Sequence, residues 1–174
     1  GKTWTPHLVA TLPVETATIY PQIGLDAGGV QHVVWSAPDA KSNPVSYSFS
    51  RDHGLTWSKP VALNPGKVGW APWIVGGTKA GTAAVVWLGS PDPKAASNKI
   101  APWYFSYAKI TLKGTHASWT GGNTTSTPLY EGKQTEPEFE MVALDKAGKL
   151  HLGMSVFLKT GTKSHWAGYP QDER

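Results

Sequence analysis

One eight-residue pattern occurs near both ends of this chain and limits what it can fold into. Leu25-Asp26-Ala27-Gly28-Gly29-Val30-Gln31-His32 and Leu144-Asp145-Lys146-Ala147-Gly148-Lys149-Leu150-His151 both read L-D-x-x-G-x-x-H without a gap. Each is followed by an apolar stretch, Val33 to Trp35 or Leu152 to Val156. A weaker middle copy runs Ala71-Pro72-Trp73-Ile74-Val75, then Gly81, then Val85-Val86-Trp87. Gly29, Gly81 and Gly148 hold the same place in each copy. The pattern predicts a hairpin: a strand ends near the aspartate, turns on a glycine free to take positive φ, and returns as a buried strand.

The segments that follow also repeat. Ser36-Ala37-Pro38-Asp39-Ala40-Lys41-Ser42-Asn43-Pro44 resembles Ser90-Pro91-Asp92-Pro93-Lys94-Ala95-Ala96-Ser97-Asn98, and both are rich in turn formers. A third strand comes next, alternating in Val45 to Ser50 and aromatic in Trp103 to Tyr107. Each unit is therefore a meander of about four strands, the size of a β-propeller blade. A β-sandwich is the competing arrangement, but sandwiches do not repeat internally at this period. Charged residues make up only 16%, with 19 Gly, 14 Pro and 9 Trp, which suits short strands and tight turns rather than helices. The expected fold is all-β: a propeller segment of about three four-stranded antiparallel blades, part of a six-bladed ring. The expected divisions are 1–14 as the outer strand of a preceding blade, 15–64 and 65–131 as blades, and 132–174 as an incomplete blade.

Ser50-Arg51-Asp52-His53-Gly54-Leu55-Thr56-Trp57 fits S-x-D-x-G-x-T-W at every defined position. This resembles the Asp-box, or bacterial neuraminidase (BNR) repeat, of sialidase-like propellers. Gly1-Lys2-Thr3-Trp4 is similar to the second half of another box, and Lys113-Gly114 to Ser118-Trp119 to a decayed one. Trp87, Trp103-Tyr104-Phe105 and Glu138-Phe139-Glu140 add to the likeness. The resemblance implies a structural box, with Ser50, Asp52, Gly54, Thr56 and Trp57 forming the turn between third and fourth strands. Asp52 would accept backbone N–H groups of that turn, Gly54 would take positive φ, and Trp57 would pack beneath it. It also implies that the boxes lie at the end of the propeller away from any ligand.

A sialidase of this kind would need three arginines on the substrate carboxylate, a Tyr–Glu nucleophile pair and an Asp acid/base. Planar forked donors hold a carboxylate through two parallel hydrogen bonds, which lysine does not copy. The chain has two arginines, Arg51 within the box and Arg174 at its last position, so it does not assemble that triad by itself. Glu136, Glu138 and Glu140 alternate and would share one face of a strand. Paired carboxylates are what glycoside hydrolysis uses, which makes Glu138 and Glu140 the catalytic candidates. A charged, solvated strand start is the alternative. Trp70 and Trp73 begin the middle inner strand and, with Glu138 and Glu140, are the candidate ligand contacts. Exposed indoles stack on sugar rings, whereas buried ones would fill the space between blades.

The six histidines show no close metal-ligand spacing, so no metal site is expected, and His32 and His151 recur with the repeat as architecture. No cofactor is expected. Asp39 and Asp92 recur in matching loops, where turn initiation after proline competes with a calcium role. Asn123-Thr124-Thr125 is a sequon in a predicted loop, a candidate glycosylation site in an exported protein. The absence of cysteine excludes disulfides and thiolate metal sites. The net charge of +4 is spread over scattered lysines with no basic, aromatic-interleaved run, which argues against nucleic acid. No apolar stretch is long enough to span a bilayer. The start, Gly1-Lys2-Thr3-Trp4, reads as that of a processed or excised piece.

These observations lead to an extracellular or cell-surface segment, non-catalytic by itself, that binds glycan or a surface protein. Its propeller would be completed by the rest of a parent chain or by a second copy. The rivals are a fragment of an exo-α-sialidase-like glycoside hydrolase whose arginines lie elsewhere, and a structural element of a cell-surface assembly.

Overall fold

The computed structural model describes residues 3, 5–12, 19–36, 42–97, 99–132, 137–156 and 165–170. Side chains are described for these except at 19, 96, 97, 137–141, 154–156 and 165–170. Twelve strands form three antiparallel sheets, and no α-helix occurs among the described residues.

The first sheet runs β1 (Ile19–Leu25), β2 (Gln31–Ser36), β3 (Val45–Ser50) and β4 (Val61–Ala62) in chain order. The second runs β5 (Val68–Gly76), β6 (Thr82–Ser90), β7 (Ala101–Lys113) and β8 (His116–Asn123). A fifth strand, β9 (Tyr130–Gly132), pairs with the early half of β7, because thirteen residues of β7 exceed what β8 covers. The third sheet comprises β10 (Pro137–Leu144), β11 (Leu150–Val156) and β12 (His165–Pro170). Among the described residues the sheets thus hold four, five and three strands, and β9 is the departure from four-stranded units. A short 3-10 turn, Pro93–Ser97, packs against β5.

The three sheets are variations on one hairpin. Gly29, Gly81 and Gly148 have φ of 79°, 74° and 81°, so each β1–β2-type turn needs a residue without a Cβ at that point. The hairpins end on Leu25↔Gln31, Gly76↔Ala83 and Leu144↔Leu150, which sets the three sheets in a common register.

That register sorts the apolar residues into two cores. Val34, Tyr47 and Phe49 of the first sheet meet Ile74, Ala83, Val85, Trp87 and Ile110 of the second. From the other face of the second sheet, Ala84, Val86, Leu88, Trp103 and Phe105 meet Leu150 and Leu152 of the third. The continuous apolar run in β6 follows from this, since a strand covered on both faces has no polar side to show. The first strands of the sheets are spatial neighbours, with β5 in contact with both β1 and β10.

Candidate functional site

Two of those neighbouring first strands carry the same irregularity. Pairing slips between Ile19 and Gln22 in β1, and between Trp70 and Trp73 in β5. The inserted pairs are Tyr20-Pro21 and Ala71-Pro72, which occupy matched positions counted back from the hairpin ends. Tyr20 has φ of 55° and Ala71 of 46°, the left-handed region that L side chains seldom adopt. Proline has no N–H for a ladder and is tolerated at bulges and on edge strands; β1 and β5 are both end strands of their sheets. A bulge bends its strand and re-aims side chains, and strained backbone concentrates where structure serves binding. In β10 the slip falls between Pro137 and Phe139.

Aromatic side chains stand at both bends, and two of them meet across the junction. Tyr20 and Trp70 meet edge to face, with ring centroids 6.4 Å apart and planes at 72°. Trp70 is half-buried, while Tyr20 at 42% and Trp73 at 41% exposure open to solvent. Trp70 braces the Tyr20 ring, and exposed rings such as those of Tyr20 and Trp73 can offer their faces to a ligand. Asn43, in the β2–β3 loop, accepts the Gly69 N–H at 2.6 Å and ties that loop to the same end of β5. Glu138 and Glu140 lie on β10, the strand next to β5, and their side chains fall outside the described residues. Glu136 and Asp39 lie outside them altogether, as do Gly1, Lys2 and Trp4 of the opening half-box.

The Asp-box turn sits at the opposite end of the first sheet, because antiparallel order returns β3 to the end where β1 finishes. Asp52 Oδ1 accepts the Thr56 N–H at 2.9 Å and the Ser50 hydroxyl at 2.8 Å, and Asp52 Oδ2 accepts the Thr56 hydroxyl at 2.5 Å. Led by the Thr56 hydroxyl, these donors hold the Asp52 carboxyl down at about 2. Gly54 takes φ of 86°, and Trp57, half-buried rather than deep in the core, donates its Nε1–H to Gly54 O at 3.1 Å. The Arg51 guanidinium lies 5.7 Å over the Phe49 ring. All of the acceptor capacity described for Asp52 is directed into its own turn.

A second cluster, at the same end as the box, was not singled out as a contact network from sequence. Asp26 Oδ1 accepts the N–H groups of Gly28 and Val30 at 2.8 and 3.0 Å. Asp26 Oδ2 accepts the Gly81 N–H of the second sheet at 2.5 Å and faces His32 Nε2 at 3.1 Å. His32 Nδ1 lies 2.7 Å from the Tyr47 hydroxyl, and the Asp26 and His32 side chains are fully buried. Burial pushes the Asp26 carboxyl up, but the hydrogen bonds from His32, Val30, Gly81 and Gly28 outweigh it, and the net shift is downward. Burial lowers His32 despite the opposing pull of Asp26. A neutral imidazole that donates through Nε2–H to Asp26 and accepts the Tyr47 O–H at Nδ1 satisfies all three groups. The repeat of the motif has the same local geometry: Asp145 Oδ1 accepts Ala147 and Lys149 N–H at 2.9 and 2.8 Å, and Asp145 Oδ2 is 3.4 Å from His151 Nε2. Asp92 Oδ1 accepts the Lys94 N–H at 2.9 Å and opens the 3-10 turn. Among the described residues, no three His, Asp or Glu side chains gather as a metal site would require.

A cavity of about 570 Å³ lies between the β4–β5 connection and the far half of the second sheet. Trp87, Tyr107, Trp119, Lys67 and Asn123 contribute to its wall. Asn123, expected in a loop, is instead the exposed last residue of β8, and its Oδ1 accepts the Ser106 hydroxyl at 2.9 Å. No helix among the described residues is long and apolar enough to cross a membrane. Neither a known protein family nor a curated protein matches this chain.

Proposed function

We propose that this chain is a segment of an extracellular or cell-surface Asp-box propeller, its three sheets consecutive blades, which binds glycan without catalysing its hydrolysis. The observation that carries the ligand reading is the pair of exposed rings, Tyr20 and Trp73, presented on two bulged, neighbouring first strands. Sugar rings bind by stacking their apolar C–H faces on such aromatic faces, with polar groups around them setting orientation. The blade reading is supported by three sheets in a common register, each with its first strand beside the next, and by the self-contained box turn at Asp52. The two-arginine composition weighs against sialoside chemistry by this chain, since a carboxylate clamp of three forked donors is not available within it.

Tryptophan fluorescence titration with a panel of neutral and sialylated oligosaccharides tests the reading. Saturable binding is expected, weakened about tenfold or more by Trp73→Ala, in line with the loss of roughly 1.5 kcal/mol of stacking. The melting temperature should change little, because Trp73 is exposed. Binding that survives Trp73→Ala and Tyr20→Ala unchanged would rule out this surface.

A further inference from the structure

The cavity between the first two sheets is built by the side chains that line it. On the face of the second sheet that meets the first, Ala83, Ile110 and Trp119 stand in one row across β6, β7 and β8, and Trp87, Ser106 and Asn123 in another. The first row packs into the shared core. In the second row only Trp87 is large, and beyond it Gly89 has no side chain. The first sheet withdraws at the same place. β4 ends at Ala62, and Asn64-Pro65-Gly66-Lys67 turns back into β5, with the Lys67 N–H donating to Asn64 O at 3.1 Å and Gly66 at φ of 72°. The space left, about 570 Å³, is of the size that small-molecule sites have.

Its walls combine aromatic surface with hydrogen-bonding groups and include no carboxylate. Trp119, half-buried, is fixed by its Nε1–H on Leu63 O at 3.1 Å. Asn64 is 7% exposed, and its Oδ1 accepts the Val45 N–H at 2.7 Å. Its Nδ2 is a buried donor with no partner among the described residues. Buried polar groups are nearly always paired, so an unpaired amide donor in a cavity wall favours an acceptor held beside it. Lys67, exposed at the rim, is the one charged residue of the lining.

We propose that this cavity is a saccharide site for one neutral pyranose ring, with a sugar hydroxyl accepting from Asn64 Nδ2 and an apolar C–H face lying against Trp119. The mixture of walls selects this class. A purely apolar ligand would leave the Asn64 donor unpaired, and a strongly anionic one would meet a single, solvated lysine. A sugar ring carries an apolar face and hydroxyls that both donate and accept. The walls come from Leu63 to Asn123 and share no residue with the Tyr20 and Trp73 surface, so the proposal does not depend on what that surface binds.

NMR titration of the Trp73→Ala chain, followed at the Trp119 indole N–H, tests it with the methyl glycosides of glucose, galactose, mannose and N-acetylglucosamine. At least one should give a saturable shift. Asn64→Asp keeps the acceptor for the Val45 N–H and removes the donor, and it should weaken binding about tenfold or more. Gly122 is an exposed wall residue where a Cβ would meet nothing within 4 Å, so Gly122→Trp should abolish binding by occupying the opening while the melting temperature holds. The second variant decides the matter if the first does not fold. No indole shift with any glycoside up to ~50 mM, or a shift that survives Gly122→Trp unchanged, would overturn the site. Glucuronate binding more tightly than every neutral glycoside, with the advantage lost in Lys67→Ala, would overturn the neutral ligand.

Discussion

At the scale of single residues, Asp26 and Asp145 isolate what burial adds to a hydrogen-bonded turn. Both accept the N–H groups two and four residues ahead and face a histidine six residues ahead. Of the two, Asp26 is sealed from water, and among the described residues only Asp26 takes a donor from another sheet. Removing its carboxylate leaves buried donors with nothing to replace them. Asp26→Ala should therefore destabilise by about 3 kcal/mol, read from chemical denaturation, and Asp145→Ala by clearly less. Acid should act through the same cluster. His32 has a folded pKa below its ordinary 6.5, so the unfolded chain takes up its proton first, and stability falls as pH drops below about 6.5. Asp26 is depressed as well, so its contribution persists above the ordinary 3.8 and is lost as pH falls through its lower folded value. Melting temperatures between pH 7.5 and 5 should decline, with a shallower slope in His32→Gln. An identical slope in the variant would exclude His32 as the group responsible.

At the scale of elements, glycines show where the chain needs an unusual φ and where it needs closeness. Gly29 has φ of 79° and open space around the missing Cβ. Gly29→Ala should cost about 1 kcal/mol of backbone strain and nothing more. Gly76 has no such φ, but a Cβ there would collide with the Leu25 carbonyl and the Asp26 nitrogen. At Gly76, β5 approaches β1 so closely that no side chain fits. Gly76→Ala should cost about 3 kcal/mol or more by forcing the two strands apart. Equal costs at the two positions in urea titrations would show that the close approach contributes nothing. The bulges at Tyr20-Pro21 and Ala71-Pro72 belong to the same pair of strands and bend both at the end away from the hairpin turns.

At the scale of the molecule, the second sheet is the only one of the three with a described core on each face. Stacked units that touch only their neighbours derive stability from junctions, and the unit with two junctions opens last. Hydrogen exchange should accordingly find the slowest amides in β6 and β7, with β10 to β12 exchanging sooner. Uniform protection across the three sheets would instead indicate a single cooperative unit.

Local chemistry was legible in the order of residues. The three turn glycines and the strands that carry Trp73 and Glu138 and Glu140 could be placed from turn formers and alternation, because those signals act within a few residues, although β5 begins earlier than expected, at Val68. The self-contained Asp52 turn is of the same kind, since none of its bonds spans more than four positions. Tyr20 was passed over, although Tyr20-Pro21 and Ala71-Pro72 stand in matching places. A proline in a strand signals a bulge only once the pairing partner is known. The same limit hid the difference between Asp26 and Asp145, which share one motif and one local geometry. The bond that separates them comes from Gly81, 55 residues away. Which face of a strand is covered, and by what, is settled where sheets meet, and a spacing of residues along the chain carries no record of that meeting.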